Sequence, residues 1–252
     1  MIQINEVLVV VPAYNEAATL EKVVAEITSY GFLCLVVDDG SSDGTPIIAG
    51  KSGAEVLSLL FNVGVGGAMR CGFRYAVENG YKAVIQFDAD GQHIGDHLKD
   101  LLAVANNSNA HYVLGSRFRS SKNTHDPHIV RRFAMWCLSQ IASHATGQRI
   151  TDSTSGFRLI RMPLLGELAK HLPNYYLGDT FVTLVVIGRS GYSVEEIGVA
   201  MAPRQSGVST ANNSLAIVLI FKACVTLLLG SSFRRSIKMY KETQREVGGY
   251  SS

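Results

Sequence analysis

Residues 83–93 read AVIQFDADGQH, a short, largely apolar run that stops at two aspartates one residue apart. Ala83 to Phe87 has the character of a strand buried on both faces, as parallel strands are. Asp88 and Asp90 follow at once, and an i, i+2 spacing in extended backbone sends both carboxylates to one side. Two adjacent carboxylates repel unless a cation lies between them. Oxygen-only ligands suit Mg²⁺ or Mn²⁺, which commonly bridge protein carboxylates and substrate phosphates. The expected metal set is therefore Asp88 and Asp90, with the side-chain oxygen of Gln92 as a third ligand.

The segments around this one alternate between strand and helix patterns. Upstream, Val7 to Val11 is an apolar run stopped by Pro12, and Phe32 to Val37 is a second buried strand broken by the turn-rich DDGSSDGT. Helical spacing of Leu20, Val23, Val24 and Ile27 predicts a helix over Thr19–Tyr30. A short helix is predicted over Thr45–Ser52, a strand over Glu55–Leu60 and a helix over Gly67–Asn79. Downstream come a helix over His97–Asn106 and a strand, Tyr112–Leu114, ending in GSR. Strands alternating with helices imply an α/β fold, a parallel sheet with helices on both faces. Ligands of such sheets bind beyond the carboxyl ends of the strands, where the polar clusters of this chain sit. From Arg131 onward the pattern changes. Helices are predicted over Ile129–Thr146, Pro163–Lys170 and Thr180–Arg189, and a strand over Ser193–Val199.

Composition narrows the classes further. The chain has 252 residues, 47% hydrophobic and 17% charged, which excludes intrinsic disorder and allows one large core. A net charge of +2 is too balanced for a general nucleic-acid binder. Cys34, Cys71, Cys137 and Cys224 lie far apart with no CxxC pair, so they are read as reduced core thiols. The N-terminal MIQINEVLVVVPAYNE lacks a basic n-region and a small-residue cleavage site, and reads as a strand rather than a secretion signal.

Three tempting motifs fail. GTPIIAGKS, Gly44 to Ser52, has five residues between its glycines where a P-loop has four. NVGVGGAMR, Asn62 to Arg70, carries Met69 where GxGxxG needs its last glycine, although a glycine-rich turn into a helix brings backbone N–H groups near a phosphate. His93 and His97 have an HxxxH spacing without the glutamate of HExxH and with Gly95 between them, against a zinc site. Asp179, in YYLGDT, either caps the helix starting at Thr180 or faces a bound acceptor.

Taken together, VVPAYNE (Val10–Glu16), VVDDGSSDGT (Val36–Thr45), the Asn62–Arg70 loop, FDADGQH (Phe87–His93) and GSR (Gly115–Arg117) resemble the family 2 glycosyltransferases, which have the GT-A fold. DSTSGFR (Asp152–Arg158) and MAPRQSGVST (Met201–Thr210) resemble the dolichol- and polyprenyl-phosphate sugar synthase branch. The resemblance implies a nucleoside site from Pro12, Tyr14 and Glu16, with Asp39 near the base and Val37 lining it. It implies a metal on Asp88 and Asp90 with Gln92 beside it, Ala89 between them at the donor, and phosphate contacts from Arg117, Arg131 and Arg204. Guanidinium forks suit phosphate geometry better than lysine does. Catalytic roles fall to Asp90, Arg117 and, for a hydroxyl acceptor needing a base, Asp179.

The implied reaction is inverting transfer of a sugar from a UDP- or GDP-sugar to a polyprenyl phosphate, with Mg²⁺ or Mn²⁺ as cofactor, on the cytoplasmic face of the membrane. The rival is transfer to a saccharide hydroxyl. A nucleotidyltransferase would show a glycine- and base-rich loop after the first strand, where this chain has PAYNE. The expected division is a GT-A domain over residues 1–212 and a C-terminal extension over 213–252. Within the latter, LAIVLIFKACVTLLL (215–229) is 15 residues long with Lys222 at its centre, short of the roughly 18–20 needed to span a bilayer. Arg234, Arg235, Lys238, Lys241 and Arg245 follow, against Glu242 and Glu246. Such a helix either lies in an anionic membrane interface or packs into the core or an oligomer contact. The partners expected are thus the two substrates, an anionic membrane surface, and a membrane protein or second copy of the chain, with no nucleic acid.

Overall fold

The computed structural model describes residues 1–119, 129–172 and 179–202. A single 3₁₀ turn, Ile4–Glu6, leads into β1 (Val7–Ala13). There follow α1 (Ala17–Ser29), β2 (Leu33–Asp38), α2 (Thr45–Lys51), β3 (Glu55–Ser58), α3 (Val65–Glu78), β4 (Ala83–Gln86), α4 (Asp96–Ser108) and β5 (Tyr112–Ser116). The second half carries α5 (Ile129–Thr146), β6 (Arg158–Arg161), α6 (Leu164–His171), α7 (Asp179–Arg189) and β7 (Val194–Gly198). The strands form one seven-stranded sheet in the order β3-β2-β1-β4-β6-β5-β7.

Alternation along the strands divides two cores. Leu8 and Val10 of β1 join Leu35, Val37, Met69 and Phe73 on one face, with α5, α6 and α7 packed there too. Val7, Val9 and Val11 point the other way, to Leu20, Val23, Val24 and Ile27 of α1 and Leu98 and Leu101 of α4. Each fully buried Val or Leu contributes about 1.5–3 kcal/mol over its exposed state. Helices on both faces explain why β1 has no polar side.

One expectation is corrected, and one strand is added. Strand β1 does not stop before Pro12: Pro12 and Ala13 continue its pairing with Val37 and Asp38 of β2. On the other flank β4 pairs only as far as Val10↔Gln86, so no ladder partner asks for the N–H that proline lacks. The sheet is mostly parallel, as expected for a GT-A fold, and one strand departs from that direction. β6, within a stretch that gave no strand pattern, runs antiparallel between β4 and β5. It is four residues long and begins with a fully buried arginine, Arg158, which defeats a hydrophobicity reading. The reversal has a functional consequence. The amino end of β6, carrying Asp152 to Phe157, arrives at the same sheet edge as the carboxyl ends of the parallel strands β1, β2, β4 and β5.

Candidate active site

Along that edge the loops are stitched together by side chains. Asn15, in the left-handed region at φ 56°, donates its N–H to Ser41 Oγ at 2.9 Å and accepts from Ser42 N through Oδ1 at 2.9 Å. Glu16 N donates to Thr45 Oγ1 at 3.0 Å, and Ala17 N to Asp43 Oδ2 at 3.2 Å. These are N–H groups at the start of α1, which has no side-chain cap of its own. The PAYNE turn and the loop after β2 are therefore one wall, with Tyr14 half exposed on it.

Asp39 ties in the third loop. Its two carboxylate oxygens accept from Val63 N at 2.7 Å and Gly64 N at 2.9 Å, just before α3. Burial pushes its pKa up, with the neighbouring Asp38 adding, while the two N–H donations pull down. The glycine-rich turn thus spends these amides on Asp39. Val37 differs from its expected role: it is wholly buried in the core beside Val10, so its side chain supports the edge from beneath.

Strand β4 ends at Gln86, so Asp88 and Asp90 stand on a turn completed by Gly91 (φ 74°) rather than on extended backbone. Asp90 is buried, its Oδ1 accepting from Gln92 N at 3.0 Å, and Asp88 is half exposed. Ala89 is buried, and its carbonyl accepts from Thr19 Oγ1 at 2.7 Å, which pins the turn to α1. Asp88 is braced on both oxygens. Gln86 Nε2 donates to Oδ1 at 3.3 Å, and His93 Nε2 lies 3.4 Å from Oδ2.

His93 is the site residue that sequence reasoning missed, having weighed it only for zinc. It is buried, stacked on Phe157 at 4.6 Å and edge-on to Phe87 at 5.2 Å. Its Nδ1 accepts the Asp88 amide N–H at 2.9 Å, which leaves the proton of a neutral ring on Nε2, facing the carboxylate. Burial pushes its pKa down, against the pull of Asp88 and Asp90. An antiparallel bridge to Met201 and a bond from Ala202 N to Gln92 O fasten the segment after β7 to the same turn. His97 faces elsewhere, accepting from Ala200 N through Nε2 and bonding Asp100 through Nδ1. The signal for His93 lay in the two aromatics flanking its motifs.

Arg117 is not a free cation. Its Nε and NH2 meet Asp152 Oδ2 and Oδ1 at 2.7 and 2.8 Å, its backbone N donates to Oδ2 at 3.1 Å, and NH2 also reaches Thr154 Oγ1 at 3.0 Å. Burial opposes its charge, but the Asp152 hydrogen bond and charge, with Asp88 adding, hold the guanidinium firmly protonated. Phe157 stacked on His93, Gly156 against Asp88 and Asp152 on Arg117 bring the acidic turn, GSR and DSTSGF together.

Pro12, Tyr14, Glu16, Asp39, Asp88, Ala89, Asp90, Gln92 and Arg117 thus all lie along one edge. Arg131 lies in α5 and Asp179 opens α7. Their side chains, all of Arg204 and the extension 213–252 lie outside the described residues. Cys34 is a buried free thiol as expected, but Cys71 and Cys137 are only half buried.

Among the described residues no three His, Cys, Asp or Glu side chains gather as a metal site. Two carboxylates and an amide oxygen fit an ion that takes its remaining ligands from substrate oxygens and water, as Mg²⁺ and Mn²⁺ do. Nor is any described helix long and apolar enough to cross a membrane.

A mostly parallel sheet carrying an acidic turn at its carboxyl edge, with one antiparallel strand bringing in a second polar loop, defines a GT-A glycosyltransferase. Its backbone is similar to glucosyl-3-phosphoglycerate synthase from Mycobacterium tuberculosis in complex with Mn²⁺, UDP and glucosyl-3-phosphoglycerate, at a TM-score of 0.64 and 22% identity over 86% of this chain and 79% of that one. The family model for glycosyl transferase family 2 matches residues 8–169, and the chain belongs to that family. It is 25% identical to a UDP-N-acetylglucosamine–dolichyl-phosphate N-acetylglucosaminyltransferase of Methanococcus voltae, over 89% of this chain and 96% of that protein. It is 28% identical to the polyprenol monophosphomannose synthase of Mycolicibacterium smegmatis, over 85% and 84% of the two chains.

Proposed function

We propose that this glycosyltransferase moves a sugar from a nucleoside-diphosphate sugar to the phosphate of a polyprenyl phosphate, inverting the anomeric centre. The observation that carries the reading is the braced Asp88–Asp90 turn at the carboxyl edge, in a chain whose relatives are named for polyprenyl-phosphate acceptors. On this reading the wall of Tyr14, Glu16 and Asp39 receives the nucleoside. Asp88, Asp90 and Gln92 hold Mg²⁺ or Mn²⁺, which when bound neutralises charge on the departing diphosphate. Arg117, kept charged and oriented by Asp152, faces the phosphates. Arg131 and Arg204 are assigned the same task.

The acceptor phosphate oxygen attacks C1 of the sugar while the bond from C1 to the diphosphate breaks on the opposite side. A phosphate monoester is largely ionised at pH 7, so no protein base is needed. The buried, neutral His93 takes no proton in this scheme; it holds Asp88. Residues 215–229 and the basic stretch after them dock the enzyme on the anionic, cytoplasmic membrane surface where the acceptor headgroup lies.

Assay of a panel of UDP- and GDP-sugars, with and without short-chain polyprenyl phosphate, in Mn²⁺, Mg²⁺ or EDTA, tests the reading. It requires a glycosylated lipid phosphate that forms only with metal. Transfer to saccharide hydroxyls alone would favour Asp179 as base and overturn the phosphate acceptor.

A further inference from the structure

Among the described residues Arg158 is the largest fully buried side chain, and it lies on β6 in the interior of the sheet. A buried guanidinium is costly unless its donors are used. Among the described residues two directions matter. Nε donates to Gln86 Oε1 at 2.9 Å, and NH1 donates to Tyr112 Oη at 3.2 Å and to Thr180 Oγ1 at 3.1 Å.

The first direction runs to the acidic turn. With its oxygen committed to Arg158, the Gln86 amide can present only its NH₂ to Asp88, and Nε2 lies 3.3 Å from Oδ1. The second runs to the opening turn of α7, where Thr180 follows Asp179. One cation therefore joins the strand that ends in the acidic turn to the first turn of the helix beginning at the same edge.

We propose that Arg158 is a positioning residue: through Gln86 it sets the Asp88 carboxylate for metal, and through Thr180 it ties that setting to the first turn of α7. The proposal rests on the reading of Asp88 as a metal ligand. Groups that orient metal ligands carry about 10–100-fold of metal affinity. A merely structural arginine would carry stability alone, because Asp88 would take the same geometry without it.

The test is Mn²⁺ affinity of the full chain, read from the electron paramagnetic resonance signal of free Mn²⁺, with UDP or GDP present and beside thermal unfolding. Gln86→Met keeps the volume and removes both bonds; Thr180→Val removes the bond to Arg158, far from the carboxylate; the double variant closes the cycle. Gln86→Met should weaken Mn²⁺ about tenfold. Thr180→Val should weaken it about threefold in the wild-type background and not at all in Gln86→Met, where the relay is already cut. Should Gln86→Met fail to fold, Thr180→Val and Arg158→Lys carry the test, each weakening Mn²⁺ more than its unfolding temperature explains.

Wild-type Mn²⁺ affinity in Thr180→Val, or an equal effect of Thr180→Val in both backgrounds, overturns the relay. A wild-type chain that binds no Mn²⁺ with either nucleotide overturns the metal reading instead, and the two failures are told apart by that one control.

Discussion

Gly156 leaves room for the carboxylate of Asp88: a Cβ on Gly156 would stand 2.9 Å from Oδ2 and 3.1 Å from Oδ1. It would also meet Gln86 Nε2 at 3.1 Å. The glycine belongs to the loop before β6, so the antiparallel strand shapes the acidic turn by what it omits. One methyl group here pushes the Asp88 carboxylate off the position that Gln86 and His93 brace. We expect Gly156→Ala to lower kcat/KM at least tenfold, about 1.4 kcal/mol. Unfolding by urea should change far less, and unaltered kcat/KM would mean that Asp88 has another working position.

Asp90→Asn keeps the shape of the turn and the acceptor for Gln92 N, but removes a charge. Turnover should fall at least a hundredfold, about 2.7 kcal/mol of barrier, with an unchanged circular dichroism spectrum. Full turnover of this variant in excess EDTA excludes the metal role.

The Arg117–Asp152 pair should separate stability from function. Asp152 is fully buried, and Asp152→Ala takes the carboxylate partner from a largely buried guanidinium, for an expected loss of about 3 kcal/mol in urea unfolding. Arg117→Lys keeps the charge but loses the two-pronged geometry, so it should recover only part of the activity lost in Arg117→Ala. Wild-type kinetics for Arg117→Lys would show that a point charge suffices.

The Cys34 thiol, on β2, is pushed up to about 12 by burial in the core. At pH 8 that leaves about one thiolate in ten thousand. Iodoacetamide should therefore spare Cys34 in the native protein and label it in urea, while the half-buried Cys71 and Cys137 react first. Peptide mass mapping reads the order directly, and early labelling of Cys34 would contradict its burial.

Residues 214–252 should confer reversible binding to anionic vesicles that weakens at high salt. Sedimentation of the full chain and of a truncation at 213 measures it. Transfer to a water-soluble short acceptor should survive the truncation better than transfer to a vesicle-embedded one. Equal vesicle binding by both proteins would assign residues 215–229 to the core or to a self-association surface instead.

Local chemistry made the outline of this protein legible without coordinates. Strands β1, β2 and β4 are short apolar runs ended by turn residues, and the early helices show their apolar stripes, because both patterns are set within a few residues. The family motifs are contiguous for the same reason, so Tyr14, Asp39, Asp88, Asp90 and Arg117 could be named from the chain alone. Other matters were beyond that reach. That β6 runs antiparallel, that Asp152 claims Arg117, that His93 and Gly156 lie against the Asp88 carboxylate, and that Arg158 holds the Gln86 amide beside it depend on where the chain folds back on itself. An arginine looks like a surface residue until hydrogen-bond partners from other strands accept its donors, and a glycine looks like a turn until a carboxylate lies against it. Which polar residues are buried, and for what, was decided by tertiary structure, since only there does the cost of leaving water meet its compensation.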